Sequence, residues 1–367
     1  MICYDGCMTP TEVPQASLSN VAFIARNAIK YGAFLLAFFI IGRVILNMSF
    51  SLYRLLNPPK PPEPTYGFGT LPSLTFPQSP FQIKTYTLQT KDGSLPMLAN
   101  QLPVYFIPVG RASLFSSDNA KQVAGDLGFE FPPEQVSETV YRWKRTTPLT
   151  STLEMDIVSQ NFTMRTDWST DPNFLTNNRK LPTQSEVANR ARGILRDASL
   201  LPDDMATGEA RITLLKSSGS SYTPAVSFSE ADFVQVDLFR TALGLRYPVF
   251  RPDPSKGSAR MIFSGSEEKD LSVVEMEFMH FSVEYDRAET YGLVSTLEAW
   301  KQLQAGKGYV AYVDQNVTSA VVRNVALAYY DSDTPQNYLQ PIYVFTGDNN
   351  FFAYVPAVAQ QSSTGKK

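Results

Sequence analysis

The chain has 367 residues, 43% of them hydrophobic and 18% charged, enough for one large or two ordinary domains and too apolar for a globally disordered protein. Its formal charge is −3 with no long basic run, which argues against a nucleic-acid partner, because phosphate binding needs a concentrated Lys/Arg surface. Five of the 32 basic and three of the 35 acidic side chains fall in residues 1–65, so the remaining 27 basic and 32 acidic groups leave the larger part mildly acidic.

Residues 1–30 read as a cytoplasmic tail. They hold both cysteines, Cys3 and Cys7. A CxxxC pair supplies only half of the roughly four ligands of a structural zinc site, and the single histidine, His280, is far along the chain. Incidental thiols in a terminal segment are the reading, with no metal or cofactor expected.

Tyr31 to Tyr53 reads YGAFLLAFFIIGRVILNMSFSLY, with Arg43 as its one charge. At 1.5 Å per residue this crosses a hydrocarbon core of about 30 Å. The anchor rests on Phe34, Leu35, Leu36, Phe38, Phe39, Ile40 and Ile41. The purest apolar part, Tyr31 to Leu46, centres near Phe39, and Arg43, about one turn past that point, snorkels toward the C-terminal interface or meets a carboxylate of another helix. A cleaved signal peptide is disfavoured by the long leader and by the poor site at Ser49-Phe50-Ser51. Two basic residues flank each end, so the positive-inside rule is silent on orientation. The cysteine-free larger part suits an oxidising outer compartment. That places the N-terminus in the cytoplasm and the chain beyond about residue 55 outside.

Residues 54–69 form a proline-rich spacer through Pro58, Pro59, Pro61, Pro62 and Pro64. Polyproline II extends about 3.1 Å per residue without internal hydrogen bonds, a semi-rigid rod of roughly 20 Å. A PxxP ligand for an SH3-like groove is the sharper alternative. Gly67 and Gly69 read as a flexible joint.

The remainder reads as α+β, mostly antiparallel sheets with helices on one side, in two related subdomains (70–220 and 221–360) before a disordered tail (361–367). Ser117 is positioned to cap a helix that Gly128 closes. Thr183/Glu186 and Ser295/Glu298 form capping boxes before apolar stripes at helical spacing. Strands are expected at 82–89, 103–108, 140–144, 153–165, 210–215, 233–238, 259–263, 321–330, 339–345 and 351–358. Thr346 to Asn350 is hairpin chemistry. In LSVVEMEFMHFSVEY (271–285) the apolar parity flips between Phe278 and Met279, which predicts a bulge or a strand passing between two packing environments.

Catalytic candidates are few. A Ser-His-Asp triad would have to use His280, and multi-His zinc is excluded by the count. Glu275 and Glu277 project from one strand face and could serve glycoside hydrolysis, carbohydrate or calcium binding, or simply face solvent. Asp203-Asp204 and Asp331/Asp333 read as turn residues first and calcium candidates second, neither at EF-hand spacing. Tyr329, Tyr330, Tyr338, Phe351 and Phe352 are candidates for a partner surface, because aromatics dominate binding hot spots.

STLEAWKQLQAGKG (295–308) followed by VVRNVALAYYDSDTPQNYLQPIYVFTGDNNFFAYVPAV (321–358) resembles the last unit of the YycH/YycI proteins and the looser PepSY-like group. Leu339, Pro341, Tyr343 and Phe345 stand at the matching strand positions. AKQVAGDLGFEF (120–131) with VYRWK is similar to a PepSY-type helix and strand. The resemblance implies a short cytoplasmic tail, one transmembrane helix and an extracytoplasmic α+β domain acting as a membrane-bound regulator, including of sensor kinases. It supplies no catalytic residues, and the proline rod is not part of its pattern. The expectation is a noncatalytic envelope protein with two partners, the lipid bilayer and a membrane or envelope protein. The alternative is an envelope hydrolase or carbohydrate-binding protein using Glu275/Glu277.

Overall fold

The computed structural model describes residues 18–56, 62–177 and 180–359. Cys3, Cys7, Pro58, Pro59, Pro61 and the expected tail at 361–367 lie outside them. The chain divides into two units, Met1–Glu63 and Pro64–Lys367.

In the first unit a single helix, α1, spans Leu18–Leu56 and so starts thirteen residues before the apolar run and ends three after it. Residues 18–56 contain no proline to interrupt it. Phe34, Leu35, Leu36, Phe38, Phe39, Ile40 and Ile41 are each more than half exposed. Seven such residues within eight positions, at about 100° per step, leave no polar face. Val21–Arg54 is long and apolar enough to cross a membrane, and none of its most apolar window is buried. Arg43 has no ion partner among the described residues.

In the second unit the strands are β1 (Thr85–Leu88), β2 (Gln101–Phe106), β3 (Glu134–Gln135), β4 (Val140–Arg145), β5 (Ser151–Asp156), β6 (Phe162–Thr166), β7 (Ala210–Ser218), β8 (Ser221–Pro224) and β9 (Phe233–Leu238). They continue with β10 (Val249–Phe250), β11 (Ala259–Phe263), β12 (Val273–Phe278), β13 (Glu284–Gly292), β14 (Tyr309–Tyr312), β15 (Ser319–Tyr330), β16 (Tyr338–Gly347) and β17 (Phe351–Pro356). Helices α2 (Ser116–Asp126), α3 (Phe174–Asn177), α4 (Gln184–Asp197), α5 (Asp203–Ala206), α6 (Lys269–Ser272) and α7 (Thr296–Gln304) lie between them.

One sheet has the order β1-β15-β16-β17-β14, with β10 added to β15 and β2 bridging β13 and β16. The other is wholly antiparallel, β3-β4-β5-β6-β12-β11-β9-β7-β8. The α+β class therefore holds. Residue 220, where two subdomains were expected to part, sits in the β7–β8 hairpin beside Gly219. The first sheet draws on segments both before and after the second. Element order along a chain does not encode which strands pair.

Alternation decides the packing. On the first sheet Val325, Leu327, Tyr343 and Phe345 face Ala299, Trp300 and Leu303 of α7, while Ala328, Tyr330, Ile342 and Val344 face the other way. On the second, Ala120, Val123 and Ala124 of α2 and Val187, Ala191 and Leu195 of α4 share one core with Leu153, Met164, Val236 and Met276. The parity flip at Phe278/Met279 marks the crossing between sheets: β12 ends at Phe278 in the second, and β13 begins at Glu284 in the first.

Local chemistry fixes the helix starts. Ser295 Oγ accepts the Glu298 N–H at 3.1 Å, and Glu186 accepts the Thr183 N–H at 3.0 Å. Ser117 is not a cap, since α2 already includes it and Phe115 holds the N-cap position.

The residues after the spacer form a strap rather than a flexible joint. Thr65 and Thr290 exchange backbone-to-hydroxyl bonds at 2.9 Å, Tyr291 Oη donates to the Gly69 carbonyl, and Gln340 Nε2 donates to the Pro72 carbonyl, each at 2.9 Å. Tyr66 packs edge-on against Tyr291 at 5.3 Å, and Phe76 stacks on Tyr309 at 5.3 Å. A Cβ at Gly67 would overlap the Glu289 carboxylate, so that glycine permits close approach instead of motion.

The strap and α7 cover the two faces of the first sheet, which corrects the expected aromatic surface. Tyr329, Tyr330 and Phe351 are each 0% exposed. Tyr338 and Phe352 are half-buried, against Phe68 and Phe250 respectively. These strands are central and covered on both sides, so aromatics there supply core area.

Candidate functional site

Two buried arginines sew the sheets together. Arg251 follows β10 of the first sheet. It donates to Glu277 of β12 in the second at 2.8 Å, to Asp333 at 2.8 Å and to the Gly257 carbonyl at 2.8 Å. Lys256 adds a 3.2 Å bond to Glu277. Burial pushes the Glu277 carboxyl up, but Arg251 and Lys256 more than offset this and hold it below the ordinary carboxylate range.

Arg240 follows β9 of the second sheet, and its side chain is 1% exposed. Its charge faces Asp204 of α5 at 3.3 Å and Asp331, at the end of β15, at 3.1 Å. It also donates to the Phe281 carbonyl. The two carboxylate contacts are close but off-line for hydrogen bonding, and Asp331 Oδ1 is buried without a partner. Asp204 further accepts from the Tyr285 hydroxyl at 2.7 Å and lies 3.0 Å from His280 Nε2. The Asn161 side-chain oxygen accepts the His280 backbone N–H at 2.9 Å.

This cluster splits its two acids. Burial pushes Asp204 up, yet the His280 hydrogen bond and the Arg240 charge bring it down to about 2. Asp331 is raised, because burial there outweighs the pull of Arg240 and His280. A carboxyl lowered on folding adds stability above its unfolded value and loses it as pH falls through the folded one. Asp204 should therefore contribute about 2 kcal/mol above pH 5 and lose it between about pH 4 and 2. Asp331 works in the opposite direction, favouring the fold as it becomes protonated. Urea midpoints between pH 6 and 3 should fall less steeply in Asp204→Asn than in the unaltered chain. Equal slopes would contradict the assignment.

Glu275 and Glu277 share a face but not a site. Glu277 is committed to the seam, whereas Glu275 stands beside Tyr222, whose phenol is raised by burial and then by the Glu275 charge. A glycosidic acid needs a carboxyl raised toward neutrality, and Glu277 moves the other way. Asp204, Asp331 and Asp333, expected as turn residues, are ion-pair partners. No group of three or more metal-ligating side chains occurs among the described residues. Sequence reading missed Arg240 and Arg251; the one local signal is an arginine directly after a phenylalanine at a strand end, in Phe239-Arg240 and Phe250-Arg251.

Two cavities adjoin this architecture. One of about 310 Å³ lies between the strap and Tyr291, Gln340 and Pro356. A second, of about 540 Å³, is bordered by His280 and Phe281.

No protein-family model matches the chain, and no curated protein matches it. Ten chains of solved structures are similar. One is an uncharacterized protein from Eubacterium rectale, 10% identical, with 72% of this chain and 85% of that chain covered at a TM-score of 0.31. Another is the Bacillus megaterium YpeB C-terminal domain, 13% identical, with 69% of this chain and 96% of that chain covered at a TM-score of 0.29. Neither is named as a YycH or YycI protein, and likeness of this size carries no argument about function.

Proposed function

We propose that this is a noncatalytic, single-pass membrane-anchored envelope protein whose extracytoplasmic α+β domain binds a protein partner and so regulates or scaffolds a membrane complex. The observation that carries the reading is α1, which is apolar on every side and unburied over its most apolar window. A helix of that kind in water would expose a large apolar area, and a bilayer removes it. The absence of cysteine from residues 8–367 favours placing the domain on the oxidising side.

The partner surface moves from the buried tyrosines to the flanks of α2. Leu114 is 94% exposed, Phe115 69% and Phe131 67%. Large apolar side chains left in solvent favour a protein contact. Amine-reactive crosslinking in intact membranes, followed by detergent purification, should capture one stoichiometric membrane protein. Phe115→Glu with Leu114→Glu should cut the yield at least tenfold, with unfolding midpoints unchanged. Recovery of the unaltered chain free of any partner would contradict the proposal.

A further inference from the structure

We propose that the cavity beside His280 binds a small apolar primary amine. Its volume of about 540 Å³ falls within the usual range for small-ligand pockets, roughly 300–1,000 Å³. Ile107, Val109, Val158, Phe281 and Pro335 supply an apolar wall. Asp156 and His280 supply the polar groups that would orient a ligand.

The charge on that wall is one-sided. Asp156 lines the cavity, and no Lys or Arg does among the described residues. Its Oδ1 accepts the Val158 N–H at 3.0 Å, the Ser159 N–H at 2.8 Å and the Ser159 hydroxyl at 2.9 Å. Burial pushes this carboxyl up, but bonds from Ser159, Thr139 and Val158 more than offset it and keep it ionised. Asp156 has no ion pair among the described residues, unlike the seam carboxylates. A rigidly held anion against an apolar wall without a counter-ion selects a cationic head with an apolar tail.

His280 lines the same cavity. Its Nε2 lies 3.0 Å from the ionised Asp204 and donates to it. The Arg240 charge faces Asp204 and Asp331 within the seam. The Asp156 carboxylate, an acceptor only, calls for a donor-only group, which an ammonium is. The tail would rest on Val158 and Phe281. Since Arg240 holds the Phe281 carbonyl, an occupant touches a residue fixed to the seam.

His280 is the only histidine in the chain, so labelled imidazole resonances report on the cavity without assignment. The full chain in phosphatidylcholine nanodiscs at pH 8 is titrated with hexylamine, hexanoate and hexanol. Hexylamine, protonated at that pH, should shift the imidazole signals saturably and bind at least tenfold more tightly than the other two. Asp156→Asn retains the oxygen that accepts the Val158 and Ser159 N–H groups, and it should weaken hexylamine at least tenfold. Equal binding of hexanoate or hexanol, no saturable shift, or indifference to Asp156→Asn would overturn the proposal. The three-probe comparison needs no variant, and its outcome is independent of whether a protein partner is found.

Discussion

Arg240→Ala is expected to destabilise the domain by about 3–5 kcal/mol, the usual consequence of removing one partner from a buried ion cluster. The loss goes beyond one contact. Asp204, Asp331 and the Phe281 carbonyl would all remain buried without the guanidinium that faces them. Asp204 lies on a second-sheet connection, Phe281 on the β12–β13 crossing between the sheets, and Asp331 follows β15 of the first, so the variant also parts the sheets. In a domain of this size the melting temperature should fall by roughly 10 °C. Two comparisons isolate the cause. Arg142→Ala breaks pairs with Glu154 and Glu134 that are partly open to solvent, and should cost no more than about 1 kcal/mol. Asp331→Asn should cost less than Arg240→Ala, because burial already favours the uncharged carboxyl there. Thermal and urea unfolding of the three variants decide the order; an Arg240→Ala loss no larger than that of Arg142→Ala would refute the seam.

The second large effect belongs to α1. Leu36→Asp combined with Ile40→Asp puts two carboxylates one turn apart near the middle of the apolar run. Each charged residue at a helix centre costs about 2.5–3.5 kcal/mol of insertion free energy, so the pair costs roughly 5–7 kcal/mol. Membrane association in a flotation gradient should collapse for this variant, while Leu36→Ala/Ile40→Ala should still float. Arg43 is the one charge already within that run, and its long side chain would reach the interface by snorkelling.

Much of this fold was legible because its rules are local. The capping residues of α4 and α7 lie three positions from their partners, and the hairpin at 346–350 is set by adjacent residues with positive φ at Asn349 and Asn350. The parity flip at Phe278/Met279 located the passage between sheets from side-chain alternation alone. The seam was not legible. Arg240 meets Phe281 across 41 positions, His280 meets Asp204 across 76, and Arg251 meets Asp333 across 82. No local pattern marks such partners, and an isolated Asp-Asp or Asp-Ser-Asp reads as turn chemistry until strand pairing brings an arginine to it. The strap is hidden from the sequence for a related reason. Glycine after proline signals freedom in the sequence, but Gly67 is small because Glu289, more than 200 positions away, comes close to it. Tyr329, Tyr330, Tyr338, Phe351 and Phe352 are surface candidates in the sequence because strand centrality depends on order in the sheet, which β1, β2 and β10 complete from elsewhere in the chain.

Alkaline carbonate extraction of membranes from cells making the unaltered chain tests the anchored-domain account most directly. Full-length protein retaining residues 18–56 should stay in the pelleted bilayer, while the same chain lacking them should appear in the supernatant. Release of the intact chain into the supernatant, or recovery of a product already cut within that helix, would contradict the account.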